Sequence, residues 1–343
     1  MQGPSALPGR VTDAGPQRFH GDVSQVGLWV TSTNSGWLFG FNKGATKMLA
    51  MSDLSEAGCY GPRTVKVDHE QNIWVACESL MPQYGGSTAF GGEQESNNGG
   101  NPVYNYSFDA YSQCIRVAHG EGAPPGTQCA AKSFDGGWDS KGHVFAELSI
   151  GYRVRGDQVS YLNPGFYWWN AKKRYDRPTF IQVSSYCRPF CYIYYMDTDN
   201  AGNIWFDFAT QPMGYGPGAG LGEVTNPTTS PSVKIVLPPG TYKDPGGVYV
   251  SNHGKALNVT DTSTGKTYQY HLPVTESANP FNVLGPAGIG PVSGGFNEAE
   301  TALALVDSRG IDIGKLPQNT WRTRQEKNCC LPFGGAAYTP SDK

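Results

Sequence analysis

No stretch of this chain approaches the roughly 18 consecutive apolar residues of a membrane-crossing helix, so no membrane span is expected. Charge is scarce too: Asp, Glu, Lys and Arg make up 16% of the residues, with a net charge of −3. Nowhere do about five or six like charges run together, which excludes the basic footprint of a nucleic-acid partner or a polybasic membrane surface. None of the cysteines forms a C-x-x-C pair, so zinc-ribbon and thioredoxin-like chemistry have no framework. A G-x-S-x-G elbow and a phosphate-binding glycine loop between a strand and a helix are also missing. Met1 leads directly into QGPSALPGR, which lacks the apolar centre of a signal peptide.

What is abundant points to strands and turns. The 343 residues include 45 Gly, 25 Pro, 15 Phe, 8 Trp and 19 Tyr, and 38% are hydrophobic. That is enough to bury a large core, and the composition favours an all-β fold.

One phrase recurs: VDHEQNIWVA (Val67 to Ala76), WDSKGHVFAE (Trp138 to Glu147), TDNAGNIWFD (Thr198 to Asp207) and, more weakly, SNHGKALNVT (Ser251 to Thr260). A short strand ends in an acidic turn, and a second strand begins with an aliphatic-aromatic pair. Asp68, Asp139 and Asp199, with Gly142 and Gly202, are the residues such a hairpin turn demands. Trp74, Phe145 and Trp205 are the large aromatics expected to pack between neighbouring sheets.

Extending the pattern gives six units, each of strands a to d, and so predicts an all-β, six-bladed β-propeller. The b strands are LWVTST, IWVACE, VFAELS, IWFDFA, ALNVTD and LALVDS. WLFGFN, VYNYSF, FYWWNA, a poor match near GEVTN, TYQYHL and IDIGKL follow as c strands. TKMLAM, CIRVAH, TFIQVS, VKIVL and TWRTRQ read as d strands, with the fifth near FNVL. LWVTST has no first strand before it, whereas FGGAAYTPSDK (Phe333 to Lys343) is a first strand with no second. Pairing the C-terminal strand with the N-terminal strands completes one blade and closes the ring. Residues 1–26 show no periodicity and read as an irregular leader, leaving 27–343 as one propeller domain.

The phrase D-x-x-G-N-I-W-V, with a preceding strand opened by Pro-x-Gly as at Pro245-Gly246-Gly247, resembles the propeller repeats of the NHL, SMP-30/gluconolactonase and streptogramin-lyase-like families. The resemblance covers nearly the whole chain after residue 26. It implies the fold and leaves function open, because enzymes, scaffolds and binding proteins share the repeat. A lactonase of this kind holds a divalent metal at the axial channel. Carried over by motif, the equivalent positions are Arg63, Phe134, Tyr194, Gly246, Val292 and Gly335, none of them a carboxylate or amide. A hard cation, Ca or Mg, needs converging oxygens, and Asp135, one position away, is the nearest donor. No cofactor is otherwise implied. A lyase needs a general base. His69, His143 and His253 fall in hairpin turns on the opposite face, while His119 lies nearer the binding face, so Arg63, Asp135 and His119 are the catalytic candidates. The run from Asp197 to Gly202 resembles a calcium loop, but Ala201 stands at a ligand position and a plain turn is favoured.

The eight cysteines, Cys59, Cys77, Cys114, Cys129, Cys187, Cys191, Cys329 and Cys330, are an even set that predicts disulfides and an oxidising compartment. Six of them, all but Cys77 and Cys114, fall in or near d-to-a connections on one face. Cys187 with Cys191 is the most local pair; Cys329 and Cys330 could join each other or pair elsewhere, for example with Cys59. The localisation expected is extracellular, cell-surface or periplasmic. Asn105-Tyr106-Ser107 and Asn258-Val259-Thr260 match the glycosylation sequon.

Three successive b-to-c connections are long: Glu78 to Pro102, Leu148 to Gly165 and Ala209 to Leu221. A lopsided rim on a rigid scaffold is a usual place for recognition. Its candidate ligand-binding residues are Tyr84, Glu93, Glu95, Tyr152, Arg153, Arg155, Asp157 and Tyr215, a mixture that suits a small polar molecule, a glycan or a protein. The sequence therefore predicts a secreted or surface-exposed binding propeller. The alternatives are a lyase or lactone hydrolase at the channel mouth, or a structural and adhesive surface component.

Overall fold

The computed structural model describes residues 9–12, 19–33, 35–54, 60–67, 72–79, 92–97, 104–108, 127–132, 135–148, 150–155, 158–162, 164–170, 179–183, 192–210, 218–251, 254–285, 293–307, 309–325 and 333–340. Everything regular among them is antiparallel strand, apart from a single 3-10 turn at Val23–Gln25.

Six sheets share one plan, four strands in chain order except that the first sheet opens with the C-terminal strand. Sheet one runs β29 (Phe333–Tyr338), β3 (Leu28–Ser32), β4 (Trp37–Phe41) and β5 (Met48–Asp53), with β2 (His20–Gly21) on its outer edge. Sheet two is β6 (Tyr60–Val67), β7 (Asn72–Ser79), β8 (Gly92–Asn97) and β9 (Tyr104–Phe108), edged by β1 (Gly9–Thr12). Sheet three is β11 (Gly136–Trp138), β12 (His143–Leu148), β15 (Gly165–Asn170) and β16 (Thr179–Gln182). Sheet four comprises β17 (Tyr192–Thr198), β18 (Ile204–Ala209), β19 (Ala219–Thr225) and β20 (Ser232–Tyr242). Sheet five comprises β21 (Pro245–Val250), β22 (Ala256–Asp261), β23 (Lys266–His271) and β24 (Asn282–Leu284). Sheet six comprises β25 (Ser293–Phe296), β26 (Ala302–Val306), β27 (Gly310–Lys315) and β28 (Thr320–Gln325). A seventh, three-stranded sheet sets β13 (Ile150–Arg155) between β10 (Thr127–Lys132) and β14 (Gln158–Leu162).

The C-terminal strand meets the N-terminal ones as the repeat predicts: β29 pairs antiparallel with β3, from Phe333 opposite Ser32 to Tyr338 opposite Leu28. Strand b of every sheet also falls where its motif lies. Alternate residues on these strands face opposite neighbours. On β18, Ile204, Phe206 and Phe208 pack towards sheet three with Phe145 and Phe166, while Trp205 and Ala209 pack towards sheet five with Val248 and Leu257. Similar clusters join sheet five to sheet six, sheet six to sheet one, and sheet one to sheet two. Between sheets two and three, Trp74 stacks on Trp138 with ring centroids 6.0 Å apart. Phe145 and Trp205 are fully buried and Trp74 nearly so, as expected of the repeat aromatics.

The acidic turn proves to be a cap on the a-to-b hairpin. Asp199 Oδ1 accepts the amides of Ala201 and Asn203, both at 2.9 Å, and its Oδ2 accepts Trp205 Nε1–H at 3.0 Å. Asp139 Oδ1 likewise accepts the amides of Lys141 and His143, both at 2.9 Å. Gly142 and Gly202 close these turns at φ of 81° and 83°, a region that favours glycine. Sheet five uses Ser251 with Gly254, and sheet six uses Asn297, whose Oδ1 accepts the amides of Thr301 and Ala302 at 2.8 Å. The turn is thus kept where the motif fades, because any short side-chain acceptor can hold it.

Several expectations need correction. Glu78 to Pro102 contains β8, which takes the third place in sheet two and moves VYNYSF, expected there, to the fourth as β9. Leu148 to Gly165 is likewise not one loop but carries the hairpin β13–β14. Within residues 1–26 lie β1 and β2, each completing the outer edge of a sheet. His143, at its hairpin turn, is half-buried: its Nδ1 is 2.7 Å from Asp139 Oδ2, and its ring meets Trp168 edge-on at 5.2 Å. Asn258 is fully buried, so its sequon cannot accept a glycan in the folded chain.

Candidate functional site

Three innermost strands converge on one buried carboxylate. Asp135 stands immediately before β11 and is 1% exposed. Its Oδ1 accepts the Thr64 hydroxyl at 2.7 Å and the Gly136 amide at 2.8 Å, and its Oδ2 accepts the Met196 amide at 3.0 Å. Lys66 Nζ lies 3.4 Å from the same Oδ1 and donates to the Met196 carbonyl at 2.7 Å and to Asp197 Oδ1 at 3.1 Å. Asp197 Oδ2 accepts the Val250 amide at 2.7 Å. The network ties sheets two, three, four and five together through strands β6, β11, β17 and β21.

Burial pushes the Asp135 carboxyl above the usual range; Lys66, the Met196 amide and the Thr64 hydroxyl oppose the rise, and Asp197 adds to it. A second carboxyl, Asp207 on β18, is wholly buried and receives the Tyr195 amide at 2.8 Å on Oδ1. Burial raises it well above the usual range, with the charge of Asp135 adding to the rise and the amides of Tyr195, Tyr194 and Gly246 opposing it. Its Oδ2 has no hydrogen-bond partner among the described residues.

These residues do not fit a lactonase-type metal. At the motif-equivalent positions β6, β17, β21 and β29 bring Arg63, Tyr194, Gly246 and Gly335, and Asp135 spends its oxygens on protein donors. Phe134 and Val292 lie outside the described residues, among which no group of three or more His, Cys, Asp or Glu could hold a metal ion. The calcium-like run is a plain turn: Asp199 caps its own hairpin, and Asp197 faces Lys66 and Val250.

Of the catalytic candidates, Arg63 is on β6, where its carbonyl accepts the Thr31 hydroxyl, and Asp135 is in the network above; His119 lies outside the described residues. Of the rim candidates, Glu93 and Glu95 belong to β8, opposite Ala76 and Trp74. Tyr152, Arg153 and Arg155 belong to β13, where Tyr152 stands between Cys129 and Tyr161, and Arg153 between Gln128 and Ser160. Tyr84, Asp157 and Tyr215 lie outside the described residues, as do Cys59, Cys114, Cys187, Cys191, Cys329 and Cys330. Cys77 is on β7 and Cys129 on β10.

The sequence reading missed Lys66, Asp197 and Asp207. Asp207 carried a legible signal, a lone charge in the apolar run IWFDFA, since an ionisable group inside a buried strand marks a special environment. Lys66 and Asp197 carried none, because their partnership spans about 130 residues.

No protein-family model matches the chain, and no curated protein matches it in sequence. Solved structures do resemble it. A chain of the nidogen/laminin complex superposes with a TM-score of 0.59 at 10% identity, covering 91% of this chain and 98% of that one. TolB from Acinetobacter baumannii superposes with a TM-score of 0.55 at 13% identity, covering 94% of this chain and 68% of that one. At such identities the likeness is one of fold, and the fold is propeller-like and all-β.

Proposed function

We propose that this protein is a six-bladed β-propeller of the NHL and SMP-30-like kind, working in an extracellular, cell-surface or periplasmic setting, that binds a polar ligand, a glycan or a protein through its rim at blades two to four. The six-blade reading is supported by six sheets of one plan, by the β29–β3 pairing, and by packing from each sheet to the next and from the sixth back to the first. Eight cysteines support the oxidising setting and the disulfides expected of it.

The observation that carries the binding reading is the added sheet β10–β13–β14. It is assembled from the d-to-a connection before sheet three and the b-to-c connection within it, two loops that leave the same end of a propeller, opposite the Asp-capped hairpins. The strand β13 carries Tyr152, Arg153 and Arg155 within a few residues, an aromatic and cationic set suited to polar recognition. The test is a glycan array probed with the intact protein and with the Arg153→Ala/Arg155→Ala variant. Binding that drops at least about tenfold in the variant, the scale of one lost charge-assisted contact, is expected; an unchanged pattern contradicts the placement.

A second reading, catalysis at the channel mouth by Arg63, Asp135 and His119, draws on the raised Asp135 carboxyl beside Lys66. Against it, the donors around Asp135 are backbone amides and side chains of the scaffold itself. Metal content of the purified protein, followed by activity with and without chelator, separates the two.

A further inference from the structure

A sheet that ends in an unpaired strand offers a row of free backbone groups to other chains, and proteins blunt such edges with charge, proline, short length or a cover. Most outer strands of the six four-strand sheets carry a device of this kind. β28 has Arg322 and Arg324; β20 has Lys234, Pro238 and Pro239; β16 spans four residues and β24 three; β5 ends in Asp53 and is covered by β2. β9 has none within itself. It reads Tyr-Asn-Tyr-Ser-Phe, uncharged, free of proline and rich in β-forming aromatics, the composition most prone to intermolecular pairing. Its cover is β1, paired from Gly9 opposite Phe108 to Thr12 opposite Asn105.

We propose that the outer edge of sheet two is a strand-addition site, held closed by the chain's own Gly9–Thr12 and opened to the same segment of a second copy when that strand detaches. β1 is four residues long and begins with glycine, so few ladder bonds oppose the entropy gained on release. Affinity comes from main-chain pairing to β9, as in other strand additions. The copy that lends its strand leaves its own β9 edge open to receive the other's, which makes the exchange reciprocal and dimeric. The edge lies one strand outside β8, which carries Glu93 and Glu95, but its pairing with β1 is a main-chain contact that does not rest on ligand recognition at the rim.

The test uses a fluorescein-labelled synthetic peptide of residues 5–16, the intact chain, and a chain lacking residues 1–18. The peptide is expected to bind the shortened chain at least about tenfold more tightly than the intact one, because the closed strand leaves only a fraction of intact molecules competent. A peptide with Arg10→Pro and Val11→Pro, which removes the ladder donor whichever of the two faces β9, is expected not to bind. Equal binding to both chains, no binding to the shortened chain, or undiminished binding of the proline peptide would overturn the proposal. A second measurement does not depend on the truncation. The same proline pair in the intact chain should speed hydrogen exchange at the β9 amides facing β1 by at least about tenfold, while β3 keeps its protection. Unchanged exchange along Tyr104–Phe108 would also overturn it.

Discussion

The two faces of sheet five differ as much as a core and a surface, yet both are buried. Towards sheet four, Val248, Leu257, Val259 and Tyr270 pack on Trp205, Leu221 and Tyr242. Towards sheet six, the same strands present Tyr249, Asn258, Thr260, Thr267 and Gln269, with Leu284 beside them. Leu257 and Asn258 are neighbours in sequence, both fully buried, and face opposite sides.

The polar face is satisfied internally. Asn282 Nδ2 donates to Gln269 Oε1 at 2.7 Å, Gln269 Nε2 to Asn258 Oδ1 at 2.8 Å, and Asn258 Nδ2 to the Tyr249 carbonyl at 3.1 Å. The Tyr249 hydroxyl lies 2.9 Å from that of Thr260 and 3.3 Å from that of Thr267. An amide ladder thus crosses all four strands. The apolar side contains the opposite case: Asp207, on the Trp205 face of β18, with its Oδ2 unpartnered among the described residues. Apolar contact holds sheets together without direction, whereas hydrogen bonds fix how they are aligned. Sheet five meets sheet four by apolar contact, whereas the bonds on its other face run among its own four strands and fix their alignment. Tyr249 and Leu284 make the apolar contact to Phe296, Leu303 and Leu305 of sheet six.

The largest effect should come from the apolar side. Leu257→Ala removes a fully buried side chain and should cost about 2–5 kcal/mol in urea unfolding. Gln269→Leu breaks the ladder in the middle, leaving the Asn258 and Asn282 amides short of a partner, and should cost about 1–3 kcal/mol. Adding Asn258→Leu should cost less than the sum of the two single changes, because the residues share one bond. Full additivity would break the ladder picture.

Asp207 sharpens the contrast through pH. Its folded-state pKa is raised well above the ordinary carboxylate value. The folded chain therefore holds a proton that the unfolded chain has lost, and the stability this gives is present at low pH and lost as pH rises through the folded pKa. Asp207→Asn should flatten unfolding stability between acid and neutral pH and raise it at neutral pH relative to the parent. A parallel pH profile would contradict the assignment. The smallest expected loss is on the hairpin face, where Asp139→Ala removes two backbone caps and should cost about 1 kcal/mol in thermal unfolding.

Much of this fold was legible because it repeats. Strand alternation and a turn that needs a short acceptor recur from copy to copy, and one clear copy identifies the weaker Ser251 turn. The Phe333 strand could be assigned to the N-terminal sheet because its partner was missing there. What could not be read lies where the chain departs from the repeat. β8, reading GEQESN, has no apolar alternation, and the β13–β14 hairpin forms a sheet with β10 rather than with a blade. Lys66, Asp135 and Asp197 meet only in three dimensions, so no local pattern announces them. In the rim, the strands that carry Glu93, Glu95, Tyr152, Arg153 and Arg155 replaced the loops expected from their length and composition.

The most direct measurement exploits the register of sheet three, where Leu148 stands opposite Gly165. Replacing residues 149–164 with Asn-Gly closes β12 onto β15 by the two-residue turn such a pair accepts and deletes the β13–β14 hairpin alone. Binding to the glycans recognised by the intact protein, measured beside the melting temperature, should vanish while the melting temperature stays within about 2 °C of the parent, a change of roughly 1 kcal/mol for a chain of this size. Retained binding in the folded variant would contradict recognition through the added sheet.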